Sequence, residues 1–547
     1  MSQLRYAGAA AAAATAAAAG VAYAAFTREF GDEALPRLAR TYRTAIPAFA
    51  AYKGVQFLHE TLPARLGRPV DAAAAAAAYE QLHGIWAPRA LEMVLELRGF
   101  NLKSSQMVAS NFGNVFPKAW QRTFEPLLDA VPAKPFATVR ATVERELGRP
   151  LGDVFATFDE APLAAASIGQ VHRATLRDGG KRVVVKVMYP EVEGQFRGDV
   201  LAARRFLEVA VPEHLPAINE IEKQFASEFD YRREAAQLAL VRANLARSPF
   251  SHIVVPAPHP TLCTKAVLTM DEVPRCTKLT SALEEDMAFF AARRGITVAA
   301  LVAEEDAATA AALARGELRC GPSAADMGAW ASQLRWRNWA RALVGLPPEH
   351  VPLNHAALVD ELLAVHGYEV LIDGAFNGDP HPGNVLVSRP RGPAGPVHLA
   401  LIDYGQVKQL DAPRRLLLAR LIAALARADG ARPAHRARVA ALARATGYAT
   451  ARNDDDVAFE SMRLFFDRDD LITTRGQNTQ AYIEALAARD AVVSIGDDFV
   501  LAARASLMLR GLASMLNQPR SAAKAWQPFA DRVMREAGED PEAVLAA

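Results

Sequence analysis

Asp379 and Asn384 stand five residues apart in the run Asp379-Pro-His-Pro-Gly-Asn384, and Asp403-Tyr404-Gly405 follows after two strand-like segments. This is a donor set for phosphoryl transfer. One carboxylate can orient an acceptor hydroxyl or a water, while an Asn oxygen and a second carboxylate supply the hard ligands that a nucleotide-bound magnesium ion requires. The strand-like segments, 385–387 and 399–402, are separated by a loop at 388–396 rich in Gly and Pro, so they read as a hairpin. An Asp and an Asn at this spacing mean little alone, because each fixed position filters by only about one in twenty. Six consecutive positions followed by strand, loop, strand and Asp-aromatic-Gly make a purely structural turn the weaker reading.

Other segments must hold a nucleotide against these groups. The run 163–174, a turn at Arg177-Asp-Gly-Gly180 and the apolar run 182–188 read as a hairpin with Lys186 in its second strand. A Lys inside an apolar strand is costly unless it meets an acid or a phosphate, the alternative being an edge lysine that snorkels to water. From Ala164 to Lys186 there are twenty-two residues, enough for a nucleotide-covering loop, two strands and a turn. A helix is expected over 217–236, with Ile218, Ile221, Phe225 and Phe229 as its apolar stripe. Of its acids Glu228, Asp230 and Glu234, one pairs with Lys186 unless all three form a solvated face. The run 266–274 reads as a strand entering a hinge, where Met270, Asp271 and Val273 meet an adenine edge.

The remaining chain sets bounds. With 62 basic and 61 acidic residues in 547, net charge gives no case for nucleic acid binding. Three cysteines without ligand spacing favour a reducing compartment over a disulfide framework. Ala7 to Phe26 is almost wholly apolar and reads as an organelle-targeting segment, a membrane anchor or a plain N-terminal helix. Residues 35–147 are helical in pattern, with Lys103 and Gln106 on one helix face. A second helical stretch, 279–370, carries Trp330, Trp336 and Trp339, whose first reading is core packing and whose second is a lipid or partner surface. Arginines between Arg414 and Arg438 read first as solvated helix faces and second as a face toward an anionic membrane.

Taken together, Lys103-Ser-Ser-Gln106, Ala164-Ala-Ala-Ser167, Lys186, Glu228-Phe-Asp230, Asp379-Pro-His-Pro-Gly-Asn384 and Asp403-Tyr-Gly405 make the chain resemble the UbiB-type, aarF-domain-containing family of atypical kinase-like proteins over roughly residues 90–410. The resemblance implies an α+β, bilobal protein-kinase-like fold with a small β-rich N-lobe, a helical C-lobe and an N-terminal helical extension. Its parts fall at 1–30 (targeting or anchor segment), 31–150 (helical extension with the K-x-x-Q motif), 151–275 (N-lobe) and 276–547 (C-lobe, with an insertion at about 280–350). It further implies that Lys103 and Gln106 belong to a regulatory motif with Lys103 reaching Glu228 and Asp230, which leaves Glu234 as the partner of Lys186. Ala164, Ala165, Ala166 and Ser167 form an alanine-rich nucleotide loop associated with ADP preference or ATP hydrolysis. Asp379, Lys186 and Glu234 are the implied catalytic group, and Asn384 and Asp403 the implied magnesium ligands.

The family's role is in isoprenoid quinone biosynthesis or lipid homeostasis, so the expected ligand is Mg-ATP or Mg-ADP. The expected partners are a membrane or isoprenoid lipid and proteins of a quinone-biosynthesis complex, and the expected location is a mitochondrial or chloroplast membrane. A Ser/Thr protein kinase and a catalytically silent nucleotide-binding scaffold are the competing readings. Three positions depart from the pattern. Ser105 replaces a Gly, Tyr404 replaces a Phe, and Asn377 stands where a His commonly positions the catalytic loop, so that ring-mediated positioning is expected to be lost.

Overall fold

Val183, Val184, Val185 and Val187 make residues 182–188 a strand that suits burial on both faces, and in the structure all four are buried. The structure is a computed structural model that describes residues 34–110, 117–128, 133–210, 222, 225, 227–390, 392, 395–477 and 479–546. The expected targeting or anchor segment lies outside the described residues. The chain divides into two compact units, residues 1–232 with 260–269, and residues 233–259 with 270–547.

The first unit holds an antiparallel sheet and most of a helical extension. The helices used below are α1 (Ala34–Gln56), α2 (Ala72–Leu97), α3 (Gly99–Ser110) and α4 (Val192–Ala210). The strands are β1 (Phe155–Phe158), β2 (Ala164–Ala165), β3 (Gly169–Leu176), β4 (Arg182–Met188) and β5 (Val267–Asp271). They run in the order β1-β3-β4-β5, with β2 also on β3. The β3–β4 turn contains Gly179 and Gly180 at φ +75° and +61°, a backbone that glycine adopts without penalty. One face of the sheet closes on Val139, Val143, Leu151, Val154 and Leu262.

The Ala run 72–78 begins α2, capped by Asp71, whose side chain accepts from the Ala74 amide at 3.0 Å. The extension is pinned to α4 by charge. Arg37 pairs with Asp199, its Nε donating at 2.9 Å, and Asn101 Nδ2 donates to the same carboxylate at 3.1 Å. Both side chains of the pair are buried. The helix expected over 217–236 is interrupted within the described residues, among which Glu222 and Phe225 are helical. Within the described residues, Ser227–Phe229 is a 3-10 turn and the helix α5 (Tyr231–Leu245) begins only after Asp230, whose carboxylate accepts from the Arg232 amide at 3.1 Å. An Asp bonded to the backbone two residues on competes with helical pairing at that point.

In the second unit, α6 (Leu279–Arg294), α7 (Ala324–Leu343) and α8 (His355–Tyr368) lead to the strands that carry the site. These are β6 (Cys276–Lys278), β7 (Ala375–Asn377), β8 (Val385–Ser388), β9 (His398–Leu401) and β10 (Val407–Gln409), with β6-β8-β9 and β7-β10 as two small sheets. The hairpin read at 385–402 is therefore present, with Val385 opposite Leu401. Behind it lies a core built on α9 (Ala412–Arg427), α10 (Asp497–Met515) and α11 (Ala522–Glu536). Trp526 is fully buried there and donates Nε1 to the Leu363 carbonyl at 2.9 Å. Among the described residues no helix is long and apolar enough to cross a membrane.

Burial pushes the Asp199 carboxyl up to about 6, and only Arg37 and Asn101 hold it ionised. Arg37→Ala strands that charge and is expected to cost about 3–5 kcal/mol of stability. Chemical denaturation checks this, and a change below about 0.5 kcal/mol, the size of an ordinary surface substitution, would show the pair to be incidental.

Candidate functional site

The sequence-predicted residues divide between the units and are described within each. In the first, register decides proximity. Ala164 pairs with Val171 and Val171 with Lys186, so one row across β2, β3 and β4 places Ala164 and Lys186 on the same sheet face. Ala164 and Ala165 are thus strand rather than open loop, while the Ala166 amide closes the following turn on the Gly169 carbonyl at 2.7 Å. Ala166 is exposed and Ser167 buried. Lys186 Nζ lies 5.0 Å from the Tyr231 ring centroid, within cation–π range. Gly169 makes room for that tyrosine: a Cβ there would sit 2.4 Å from the Val187 oxygen and 2.9 Å from the Tyr231 hydroxyl.

Lys103, on α3, has Nζ 3.5 Å from Glu228 Oε1 and 5.3 Å from the Phe225 ring centroid. Asp230 is held by Arg232 in a two-bond pairing at 2.9 and 2.7 Å. Ser105 is buried, and its hydroxyl donates to the Leu102 carbonyl at 2.8 Å, so the helix itself satisfies the group that replaces glycine. The side chain of Gln106 lies outside the described residues.

In the second unit the ring-mediated positioning expected to be lost at Asn377 is replaced by bonds from its side-chain amide. Its Nδ2 donates to the Asp403 carbonyl at 2.8 Å while its Oδ1 accepts from the Asp379 amide at 2.9 Å. One planar amide therefore ties the loop of Asp379 to the loop of Asp403, work that needs one donor and one acceptor rather than an imidazole. Asn384 is fixed by its own backbone, its amide donating to the His381 carbonyl at 2.9 Å and its carbonyl accepting from Ile402 at 3.2 Å. Asp403 Oδ1 accepts from the Gly405 amide at 2.9 Å. Glu234 is buried on α5, and a Cβ built on Gly405 would lie 3.9 Å from its Oε2, so this carboxylate borders the Asp-Tyr-Gly segment. Met270 and Val273 are buried, and the Asp271 amide is committed to the Ala257 carbonyl at 2.9 Å.

Two residues join the constellation that motif reading passed over. Arg504, on α10, places Nη2 3.1 Å from Asp379 Oδ1. Nothing in the spacing of the sequence points to it. Glu369 begins a π-helical turn, Glu369–Asp373, and accepts from the Tyr404 hydroxyl at 2.8 Å with both residues fully buried. A lone acid between Tyr368 and Val370-Leu-Ile372 was a usable signal, because an acid in an apolar run is buried at a cost or bonded. Burial pushes the Glu369 carboxyl up to about 8 against the lowering by the Tyr404 hydroxyl, with the charge of Asp373 adding to the rise. Burial also pushes Asp373 up to about 6, with Arg247 and Arg415 opposing.

Known proteins share the part of the chain that carries Lys186, Asp379 and Asp403. The profile of the ABC1 atypical kinase-like domain matches residues 126–290 and 349–436. The chain carries an ABC1 atypical kinase-like domain. Curated relatives of the kinase-like domain include "Atypical kinase COQ8B, mitochondrial" of Rattus norvegicus, 37% identical over 34% of this chain and 35% of that protein. "AarF domain-containing protein kinase 1" of Xenopus laevis is 32% identical over 35% of this chain and 37% of its own length. "Probable protein kinase UbiB" of Marinobacter nauticus is 26% identical over 62% of this chain and 51% of its own. The chain thus spans about a third to a half of the length of these relatives. The kinase-like domain match includes Lys186, Asp379, Asn384 and Asp403, and leaves out Lys103, Arg504 and residues 291–348.

Glu369 also sets a pH dependence. Its folded value lies above its unfolded one, so the folded protein keeps a proton that the unfolded chain releases, and stability falls as pH rises toward about 8. Asp199 and Asp373, both at about 6, and His366, at about 4, lie below that range. Unfolded histidines are still about half protonated at pH 6.5, so the buried His366 and His172, whose imidazoles burial holds down, oppose the trend by roughly a few tenths of a kcal/mol each as pH rises. Between about pH 6.5 and 8 stability is therefore expected to fall by roughly 1 kcal/mol, and Glu369→Gln to flatten the slope. Denaturation midpoints at the two ends of the window measure both, and parallel slopes in the two proteins would remove Glu369 as the cause.

Proposed function

We propose that the chain binds Mg-ATP or Mg-ADP and hydrolyses ATP as an atypical kinase-like enzyme supporting isoprenoid quinone or lipid metabolism at an organelle membrane. The observation that carries this reading is the Asn377 amide, which holds the loops of Asp379 and Asp403 to one another in the order and spacing phosphoryl transfer uses. The donor chemistry also suits the metal. An amide oxygen on Asn384 and a carboxylate on Asp403 are the hard oxygen ligands that magnesium takes. Bound there, the ion neutralises charge on the phosphates.

The chain's own residues do the rest. Lys186 orients the α- and β-phosphates and Glu234 holds Lys186, leaving Glu228 to Lys103. With the Asp271 amide committed to Ala257, the adenine edge falls to the carbonyl of Asp271 and the backbone at Met270 and Val273. Asp379 orients the attacking water or hydroxyl through one carboxylate oxygen, while Arg504 fixes the other. A guanidinium on that carboxylate restrains its rotation. Membrane and organelle placement, and any partners in a quinone-biosynthesis complex, rest on the resemblance to the family.

The test is phosphate release by the full chain with Mg-ATP beside Asp403→Asn. Turnover is expected to fall about a hundredfold or more in the variant, the scale of removing one essential electrostatic group. Transfer to a Ser/Thr peptide with little phosphate release would make the protein kinase reading correct, and nucleotide-dependent thermal stabilisation without turnover would favour the scaffold. For Arg504→Ala, kcat is expected to fall about tenfold with KM for ATP unchanged, since Arg504 acts through Asp379 and not on the nucleotide. A rise in kcat would instead assign Arg504 a blocking role.

A further inference from the structure

The helix α7 has two apolar faces, and only one is used. Met327, Ala331, Leu334 and Asn338 are buried, with Ala331 and Leu334 in a small core beside Val351, Phe289 and Trp330. On the opposite side stand Trp336, Trp339 and Leu343, spaced so that they share a face, followed by Val344 and Leu346 past the helix end. These five side chains are between 50% and 70% exposed. The three tryptophans grouped by sequence therefore part company. Trp330 stacks on Phe290 at 5.7 Å, while Trp336 and Trp339 face outward.

The exposed group is held, not loose. The Gly345 amide donates to Ala342 and that of Leu346 to Arg341, a regular left-handed helix stop at Gly345, φ +72°. Asn338 then clamps the returning chain with two bonds to the backbone of Glu349, at 2.8 and 2.7 Å, and Arg341 Nε donates to the Pro347 carbonyl at 2.8 Å. A monomer that leaves such a contiguous rigid apolar group in water marks a contact site.

Charge identifies the occupant. From Gly328 to Glu349 the chain carries Arg335, Arg337 and Arg341 against one acid, Glu349, which pairs with Arg337 at 2.9 Å and Arg341 at 3.3 Å and leaves the segment net basic, and on the helical wheel Arg335 and Arg337 flank the Trp336–Leu343 stripe on either side. Tryptophan beside arginine on one exposed apolar face is the composition of an element that lies in the interfacial layer of a bilayer, rings at headgroup depth and guanidinium groups on anionic headgroups. A second copy of this chain fits less well, because an isologous contact through the stripe would set these arginines against their own copies. The segment also lies within residues 291–348, which the kinase-like profile does not match, so it is an attribute of this chain's insertion.

We propose that Trp336, Trp339, Leu343, Val344 and Leu346 form a docking surface for an anionic lipid bilayer. The proposal rests on the membrane reading above and gives it a location. The experiment is co-sedimentation of the full chain with vesicles of phosphatidylcholine mixed with phosphatidylglycerol, against vesicles of phosphatidylcholine alone. The wild-type chain is expected to bind the mixed vesicles more tightly, by roughly fivefold per engaged arginine at low salt, and to lose that advantage as salt is raised. Trp336→Ser combined with Trp339→Ser is expected to weaken binding about tenfold or more, and Leu343→Ser with Val344→Ser, tested separately, to do likewise. All four positions are exposed, so unchanged circular dichroism and melting temperature should accompany the loss.

If the wild-type chain binds and both variants bind equally well, the docking surface is elsewhere and the membrane reading survives without this proposal. If the wild-type chain binds neither vesicle, the membrane reading falls and the surface with it. Conversion of a dimer to a monomer by the substitutions, read by light scattering, would overturn the proposal in favour of a contact between copies.

Discussion

The candidate chemistry of the second unit depends on one side-chain amide. Asp379 and Asp403 sit on separate short loops, and neither loop has a core of its own to fix it. Asn377, at the end of β7, donates to one and accepts from the other, so any displacement of one loop stretches a hydrogen bond to its neighbour. The amide is buried, where each bond is stronger than in water and an unmade one costs more. The β8–β9 hairpin adds the remaining constraint, because the Asn384 carbonyl is bonded to Ile402, the residue before Asp403. Two loops and one hairpin thus move as a single body, and a preorganised donor set needs that rigidity more than it needs any one ligand.

What the sequence revealed follows from the range of each interaction. The β3–β4 hairpin was legible because β-branched residues and a Gly-Gly turn encode it locally, and with it the place of Lys186 in β4. The Asp379–Asn384 run and the β8–β9 hairpin were legible for the same reason. The start of α5 was not, since an apolar stripe runs on through Asp230 and only the Asp's bond to the backbone shows where the helix begins. What Asn377 does in place of a ring was not legible, because a motif names the residue usually present and not the donor and acceptor required. Arg504 could not be read at all. It reaches Asp379 from a helix far along the chain, and long-range ion pairs leave no periodic trace.

Two of the ion pairs of the first unit look alike on paper and differ in what they do. Arg37 and Asp199 are both almost wholly buried, so each charge has given up its water and depends on the other. Such a pair fixes how α1 meets α4 and cannot be opened cheaply. Lys103 and Glu228 lie at 3.5 Å with the lysine still in partial contact with solvent. With the glutamate 13% exposed, the pair stands between a surface bridge and a buried one. The extension is therefore anchored at one end by a fully buried pair and holds Lys103 at the other by a longer, half-buried one.

Tyr404 in place of the usual phenylalanine is a larger change than its size suggests. A hydroxyl carried into a fully buried position must find an acceptor, or it costs more than the ring gains. Glu369 supplies the acceptor, yet an ionised carboxylate at that depth would be more costly than the problem it solves. Burial settles this by raising the Glu369 carboxyl to about 8, so that at neutral pH the neutral acid predominates. The hydroxyl and the acid are then mutually necessary. Tyr404 without Glu369 leaves an orphaned donor, and Glu369 without Tyr404 keeps only the Asn377 backbone amide as a donor, so the two amount to one change made in two places. Its effect is to join the Asp403-Tyr404-Gly405 segment directly to the π-helical turn at Glu369–Asp373 that runs into β7, from behind the loops that Asn377 joins in front.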